Sequence, residues 1–247
     1  MSDETLQRYA RQILLPDVSI EGQQRLSQAH ATVVGVGGLG CVTAAFLARA
    51  GIGRLTLIDD DAVELSNLHR QILFDEHDIG RLKVEAAAER MRSINPAIDV
   101  ITHASRLNAD TAAELTGDTD VFVDGTDSYQ SRLAVNAASL MHRRPMVFGA
   151  ALRLEGQVSV FQPNSGSSPC YRCVFSPASA PVETCVTAGV VGPLLGIIGS
   201  LQAMEALKLL LEMGDSLVGR LLTFDARTME WMTIHLHRNP DCPACSG

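Results

Sequence analysis

Short apolar runs alternate with helix-length amphipathic segments over roughly the first 150 residues. The apolar runs have the length of strands: ATVVGV, RLTLI, IDVITHA, DVFVD and PMVFGA. Segments such as CVTAAFLARAG, which a glycine ends at Gly51, have the spacing of helices. This alternation predicts an α/β fold, a Rossmann-like doubly wound sheet that is mainly parallel and has helices on both faces.

The pattern changes after about residue 150. LRLEGQVSVF alternates with period two around Glu155–Gly156, which predicts an antiparallel hairpin. A long helix is predicted from Val190 to Met213, and the short strands RLLTFDA and EWMTIHLH follow it. The strands after residue 150 are too few to form a domain of their own. We therefore expect them to be antiparallel strands that extend the sheet of the first half. The prediction is a single domain over residues 1–247, with halves of about 1–150 and 151–247.

Charge and apolar content narrow the classes of function. The chain has 247 residues, and 28 acidic against 20 basic side chains give a formal charge of −8. That charge argues against nucleic-acid binding, which needs a basic surface to displace counterions from phosphates. The N-terminus has no apolar signal segment, and the apolar stretch from Ala188 to Leu201 is too short to span a bilayer. We therefore expect a soluble, cytoplasmic protein with no membrane partner.

A glycine motif follows the first apolar run. Gly35, Gly37 and Gly40 form GxGxxG, with Gly38 inside it, between a predicted strand and a predicted helix. Glycines let the backbone approach a phosphate, and a helix N-terminus offers unpaired N–H groups. Asp59 lies 19 residues after Gly40, at the end of the next strand, where a carboxylate can accept hydrogen bonds from ribose. The pattern predicts an adenosine nucleotide without separating NAD, FAD and ATP, and a turn that serves only helix–strand packing is the alternative.

Polar residues after the second and third strong apolar runs favour a triphosphate. Asn67 and Arg70 lie in a long polar loop, and Lys83 opens the next helix. Cations near a nucleotide suit a phosphate whose charge grows as pyrophosphate leaves, although each residue alone could be a solvated or ion-paired surface group. Asp127, after the run DVFVD, is placed either to hold magnesium or to cap a helix, and the two interpretations have equal weight.

Four of the six cysteines form two CxxC pairs with 68 residues between them. Two pairs of thiolates at this spacing predict a structural tetrahedral zinc site, and a redox role is the alternative. Cys185, in the segment ETCVTAG, belongs to neither pair. It is a candidate nucleophile or sulfur acceptor, or a cysteine without a reactive role. The predicted zinc ligands are Cys170, Cys173, Cys242 and Cys245.

Taken in order, a set of motifs covers nearly the whole chain, from about Arg8 to Cys245. The motifs are RYARQILL, GVGGLG, DDDAVELSNLHRQILF, GRLKVEAA, DGTDSYQSR, CYRC, ETCVTAGVVGPLLGIIGSLQAMEALKLL and CPAC. This set resembles the MoeB/ThiF/HesA family, relatives of the adenylating half of ubiquitin-activating enzymes. The resemblance implies a homodimer that binds ATP with magnesium and adenylates the C-terminal glycine of a ubiquitin-like sulfur-carrier protein. Pyrophosphate leaves, and sulfur from a donor protein is then delivered to the activated carboxyl.

The resemblance also assigns roles by motif position. The half of about 1–150 would bind the nucleotide, and the half of about 151–247 would bind the carrier and zinc. Arg11 would reach into the partner subunit's site, and Asp127 would hold magnesium. The catalytic set would comprise Arg11, Arg70, Lys83, Asp127 and, for sulfur transfer, Cys185. The nucleotide would contact Gly35, Gly37, Gly38, Gly40, Asp59, Asp61, Ser66, Asn67, Arg70, Lys83, Asp127 and Ser128.

The chain differs from the usual family pattern in one motif, and its motifs do not all resemble the same member type. The family usually has CTDN where this chain has GTDS, with Gly125 and Ser128. LRLEGQVSVF, GSLQAMEALKLL and the tail resemble the molybdopterin-synthase type, which acts on a MoaD-type carrier ending in Gly-Gly. TAGVVGP resembles the thiamine-pathway type, with a ThiS-type carrier and a role for Cys185. The non-enzymatic alternative is a catalytically inactive scaffold that binds a ubiquitin-like protein. A Rossmann dehydrogenase is disfavoured because no substrate domain with a hydride-transfer partner is evident.

Overall fold

The computed structural model describes residues 1–166, 168–176 and 188–246. Its described strands form one eight-stranded sheet in the order β3-β2-β1-β4-β5-β6-β7-β8. The strands are β1 (His30–Val34), β2 (Arg54–Ile58), β3 (Asp99–His103), β4 (Val121–Asp124), β5 (Met146–Leu152), β6 (Glu155–Phe161), β7 (Arg220–Asp225) and β8 (Glu230–His235). The predicted α/β fold class is confirmed.

Helices cover both faces of the sheet. Those of the described residues are α1 (Asp3–Arg8), α2 (Ala10–Ile13), α3 (Ser19–Leu26), α4 (Gly38–Ala50), α5 (Lys83–Ile94), α6 (Ala112–Thr116), α7 (Tyr129–His142), α8 (Tyr171–Val174) and α9 (Gly192–Leu211). The N-terminal helical segment is interrupted between α1 and α2 at Tyr9, whose ring is buried and whose hydroxyl accepts a hydrogen bond from Asn95.

The parallel half of the sheet contains the topological switch. β1 pairs with β2 on one side and with β4 on the other, and both pairings are parallel. The chain therefore builds outward from β1 through β2 and β3, and then returns to the other side of β1 as β4 and β5. In open α/β sheets a crevice forms at such a point, beyond the carboxyl ends of the strands.

The antiparallel half begins with the predicted hairpin, but its turn lies two residues earlier than expected. Glu155 and Gly156 belong to β6, where they pair with Leu152 and Ala151. The turn is made by Arg153, which has a φ of 55°, and the residue after it. Gly156 is needed for packing instead, because a Cβ there would overlap the Ile198 side chain of α9. Sequence alternation located the hairpin, and this contact with α9 determines where the glycine lies.

Helix α9 is long and apolar enough to cross a membrane by length and composition alone. In the fold it packs against α4 and against β5 and β6. Two of its polar residues have partners inside the protein: Gln202 Nε2 donates to the Asp124 carbonyl at 2.7 Å, and Glu205 accepts from the Leu217 backbone at 2.8 Å. Such internal partners are typical of the core helix of a soluble protein.

Candidate active site

A cleft of about 430 Å³ opens at the carboxyl ends of β1, β2 and β4. Its walls are the loops that follow these strands, together with residues at the start of α9. Ten residues that sequence analysis assigned to the site line it, although they come from segments far apart in the chain. They are Gly35, Gly37, Gly38, Asp59, Asp61, Ser66, Asn67, Arg70, Lys83 and Asp127.

Three other predicted residues have different positions, and a fourth cannot be placed. Gly40 and Ser128 are not among the residues that line the cleft, and Arg11 lies exposed on α2. Cys185 lies outside the described residues. Ser128 caps α7, because its side chain accepts a hydrogen bond from the Ser131 N–H at 3.1 Å. The cap of this helix is therefore Ser128, which leaves the carboxylate of Asp127 exposed in the cleft.

Some glycines of the motif are required for close packing, and another leaves the backbone accessible to a ligand. Gly35 has a φ of +85°, and a Cβ there would lie 2.8 Å from the Gly125 backbone. A Cβ on Gly40 would overlap the Gly35 carbonyl oxygen. These two glycines hold β1, α4 and the loop after β4 in close contact. Gly37 is more open, since the nearest atoms to a Cβ there would be 3.9 Å away, so its backbone is accessible to a ligand.

We predict that Gly40→Ala destabilises the fold by about 2–3 kcal/mol, because its methyl group has no space beside the Gly35 carbonyl. Gly196→Ala in α9 is the matched control, since a Cβ there meets nothing within 4 Å. It should be neutral or stabilising by up to about 1 kcal/mol. Chemical denaturation of both variants is the measurement. A Gly40→Ala protein as stable as Gly196→Ala would contradict the packing role.

Asp59 ties the glycine loop to the end of β2. One carboxylate oxygen accepts the Val36 N–H at 2.6 Å, and the other accepts the Asp61 N–H at 2.9 Å. Burial raises the pKa of Asp59, and the Lys83 cation opposes that rise. The carboxylate thus organises two loops, and its remaining lone pairs face the cleft that it lines.

The two predicted cations differ in their partners. Lys83 is 5% exposed, and its Nζ donates to Asp61 Oδ2 at 2.7 Å, so its charge is already balanced. Arg70 is partly exposed and donates to the Ser66 carbonyl at 2.7 Å and contacts His69. Within the described part of the chain, no carboxylate lies within ion-pair distance of Arg70. Its charge is therefore available to an anion in the cleft.

A buried ion pair that sequence analysis missed lies beneath the loop after β4. Asp124 is fully buried, and burial raises its pKa to about 6 although the Arg132 cation opposes this. Arg132 Nε lies 3.7 Å from Asp124 Oδ2, and Arg132 lines the cleft. Asp124 Oδ1 accepts both the N–H and the hydroxyl of Thr126. The sequence signal that could have identified Asp124 is an acidic residue at the end of an apolar strand. Only burial in the structure distinguishes Asp124 from Asp127.

Four buried side-chain atoms of the described residues have no hydrogen-bond partner. Two of these atoms, Asp124 Oδ2 and Arg132 Nε, face each other as an ion pair at 3.7 Å, and Gln71 and Arg132 line the cleft. Buried polar atoms are normally paired, so the unpaired Gln71 Oε1 at the wall of the cleft favours a polar ligand there. The cleft presents the Asp59 carboxylate, which can accept hydrogen bonds from ribose, and the Arg70 cation, which can bind phosphate, so it fits a nucleotide. The exposed carboxylate of Asp127 fits a hard cation such as magnesium. The four atoms are Gln71 Oε1, Asp124 Oδ2, Arg132 Nε and Gln202 Oε1.

The four cysteines of the CxxC pairs come together as predicted, and their sulfur atoms all lie within 4.8 Å of one another. Cys170 lies 3.7 Å from Cys242 and 3.8 Å from Cys173, and Cys173 lies 3.5 Å from Cys245. Tetrahedral zinc with Zn–S bonds of 2.3 Å separates its sulfurs by about 3.8 Å. The cluster therefore fits zinc and offers no open position for a substrate.

The ThiF family matches residues 9–244. The chain belongs to the ThiF family. It is 43% identical to the molybdopterin-synthase adenylyltransferase of Salmonella typhimurium, over 99% of this chain and 98% of the relative. It is 42% identical to the sulfur carrier protein adenylyltransferase of Thermus thermophilus, over 98% of this chain and 91% of the relative. These two similarities span nearly the whole length of each protein.

A longer relative and a solved structure extend the comparison. The adenylyltransferase and sulfurtransferase MOCS3 of Bos taurus is 45% identical, and this chain spans 54% of its length. The crystal structure of E. coli MccB superposes with a TM-score of 0.84 over 96% of this chain and 74% of MccB, at 23% identity. The MccB similarity, at this identity, shows the fold alone.

Proposed function

We propose that this chain uses ATP to adenylate the C-terminal glycine carboxylate of a ubiquitin-like sulfur-carrier protein, in molybdopterin synthesis. The observation that carries the proposal is the cleft where the glycine loop, Arg70, Lys83 and Asp127 converge. Side-chain cations beside a phosphate-binding loop support ATP rather than a dinucleotide. The two relatives that match over nearly their full length are named adenylyltransferases, and one name specifies molybdopterin synthase.

The chemistry follows from the charges in the cleft. A carboxylate oxygen of the carrier attacks the α-phosphorus, the bond to the bridging oxygen breaks, and pyrophosphate leaves with the negative charge. Arg70 stabilises that charge, and Lys83, which shares its charge with Asp61, contributes less, so the effect of Arg70 is greatest in the transition state. Asp59, Asp61, Ser66, Asn67 and the glycine loop position the nucleotide. Magnesium, held by Asp127, would neutralise part of the charge on the phosphates.

A homodimer in which Arg11 acts on the partner's nucleotide predicts complementation between two inactive variants. Arg11→Ala and Arg70→Ala should each be nearly inactive alone. After mixed refolding or co-expression, half of the dimers are heterodimers, each with one intact site, so about a quarter of the wild-type activity should return. Restored pyrophosphate exchange is the measurement. A mixture as inactive as its components would contradict a role of Arg11 across the dimer.

Zinc and compartment are part of the same proposal. We assign zinc to the four clustered cysteines as a structural ion that joins the C-terminal tail to α8. Thiolates of this kind persist in a reducing compartment, which supports the cytoplasm. Cys185 stays a predicted participant in sulfur transfer, and Cys185→Ser should then retain adenylation while it loses transfer.

The first test is ATP–pyrophosphate exchange, with a MoaD-type and a ThiS-type carrier in parallel. Exchange with the MoaD-type carrier alone supports the proposal in full. Exchange with the ThiS-type carrier alone supports adenylation and moves the chain to the thiamine pathway. Carrier binding without exchange, at saturating ATP and magnesium, would identify a scaffold and overturn the enzymatic proposal.

A further inference from the structure

Gln71 presents an unpaired amide oxygen at the wall of the cleft. The residue is 3% exposed, lines the cleft and follows Arg70 directly in the loop after β2. Its Oε1 atom is buried, and no donor of the described residues pairs with it. A buried acceptor without a partner costs free energy, so such atoms are uncommon unless a ligand pairs them. Gln71 Oε1 is therefore an acceptor suited to a donor from a bound ligand.

The backbone of Gln71 is fixed, although the loop around it is polar. Its N–H donates to the Asn67 carbonyl at 3.0 Å, and its carbonyl accepts the Phe74 N–H at 3.1 Å. The nearby Leu73 and Phe74 are buried in the hydrophobic core. The amide is thus held in place before a ligand binds, which lowers the entropy lost on binding.

The amide lies where the glycine loop meets the second half of the chain. A Cβ on Gly37 would lie 3.9 Å from Gln71 Nε2, so the amide borders the glycine loop. A Cβ on Gly192, the first residue of α9, would lie 2.6 Å from the His69 carbonyl oxygen, so the loop that contains Gln71 packs against the start of α9. Gln71 therefore lies between the proposed phosphate site and the half of the chain expected to bind the carrier.

The chemistry of the reactants limits which donor can reach this oxygen. Phosphate oxygens and the carrier carboxylate only accept hydrogen bonds, so none of them can pair with Gln71 Oε1. The ribose hydroxyls can donate, but the Asp59 carboxylate that lines the cleft is an acceptor for them. The terminal glycine of the carrier has a backbone N–H next to its reactive carboxylate. That N–H is the donor that fits an acceptor beside the phosphate site.

We propose that Gln71 recognises the tail of the carrier: its Oε1 accepts the N–H of the terminal glycine and so orients the carboxylate for attack on the α-phosphorus. This inference rests on the proposed function and extends it from the nucleotide to the acyl substrate. Only the Cα separates that N–H from the carboxyl group, so a hydrogen bond to it restricts how the carboxylate can turn.

The test combines Gln71→Met with a carrier whose last peptide bond is an ester. The ester, introduced by semisynthesis into whichever carrier supports exchange, replaces the N–H by oxygen and keeps the chain length and the carboxylate. With wild-type enzyme it should lower kcat/KM for the carrier about tenfold. Gln71→Met should lose a similar factor with the normal carrier and no more with the ester. Losses that multiply, or equal kcat/KM for both carriers with wild type, would overturn the proposal.

Stability and nucleotide binding separate this role from two others. Gln71→Met removes an unpaired buried acceptor, so its Tm should equal or exceed that of wild type. Gln23→Met is the matched contrast: the buried Gln23 donates to the Ala50 carbonyl at 2.9 Å and accepts from Gln12 at 2.7 Å, so its Tm should fall. The KM for ATP should not change in Gln71→Met. A lower Tm or a higher KM for ATP in Gln71→Met would overturn the proposal.

Calorimetry with a non-hydrolysable ATP analogue distinguishes failure of this inference from failure of the proposed function. Wild type should bind the normal carrier about tenfold more tightly than the ester carrier, whereas Gln71→Met should bind both equally. Selective binding without pyrophosphate exchange would refute only adenylation. Equal affinity of wild type for both carriers would refute only the role of Gln71. A wild type that binds no carrier would refute both.

Discussion

Replacing Arg70 with alanine is expected to lower the kcat of ATP–pyrophosphate exchange about a thousandfold. Arg70 lines the cleft, and among the described residues no carboxylate balances its charge. That charge is free to stabilise the departing pyrophosphate, whereas the charge of Lys83 is shared with Asp61. Arg70→Lys should recover about tenfold of the loss, because lysine keeps the charge but not the planar fork. The measurement is kcat at saturating ATP and carrier.

Arg54→Ala is the matched control for this loss. Arg54 is the first residue of β2, so it lies at the amino ends of the parallel strands, whereas the cleft lies at their carboxyl ends. Its side chain pairs with Asp99 at 3.0 Å. An exposed pair of this kind contributes little, so activity should stay within about twofold of wild type. Carrier affinity, measured separately by calorimetry, should be similar for wild type and Arg70→Ala. Full turnover by Arg70→Ala would refute its assignment.

Replacing Cys242 with serine is expected to abolish stoichiometric zinc binding and to lower the free energy of unfolding by about 3 kcal/mol or more. Cys242 is fully buried and lies 3.7 Å from Cys170. Structural zinc supplies about 10 kcal/mol of folding free energy in small domains. In this larger protein the sheet should still fold without the ion, so only part of that free energy is lost. Zinc content and thermal unfolding are the measurements. A strong chelator should destabilise wild type by a similar amount and leave Cys242→Ser unaffected.

Cys41→Ala separates this effect from the loss of any buried thiol. Cys41 is a buried residue of α4, its thiol donates to the Val36 carbonyl, and burial raises its pKa to about 12. It lies outside the cysteine cluster. We expect a loss of about 1 kcal/mol with full zinc content. Equal zinc content in wild type and Cys242→Ser would exclude this cluster as the zinc site.

Much of the fold was predictable because local patterns determine it. The apolar runs correspond to β1, β2 and β4, since a strand buried on both faces is rich in apolar residues. The glycine motif joins β1 to α4 and includes the first turn of that helix, and the four paired cysteines lie close together. Motifs with a fixed spacing survive into the structure because their geometry is set by a few neighbouring residues.

Other parts of the site were not predictable from local patterns. Asp124 and Asp127 are separated by two residues, yet one is fully buried against Arg132 and the other is exposed in the cleft. Gln71 lies in a polar loop that gives no sign of burial, although Gln71 is 3% exposed. Burial depends on how β4, α7 and α9 pack together, and no single segment contains that information.

The sequence by itself determined the order of strands and helices, the position of the glycine motif and the pairing of cysteine motifs, because each depends on short-range spacing and side-chain chemistry. Only the tertiary structure decided which acid lies beneath the cleft, which residue caps α7 and that Gly40 serves packing. It also joined the first cysteine pair to α7, through the hydrogen bond from the Tyr171 N–H to the Asn136 side chain. These properties arise from contacts between segments distant in sequence, where burial and the loss of solvent change what a side chain can do.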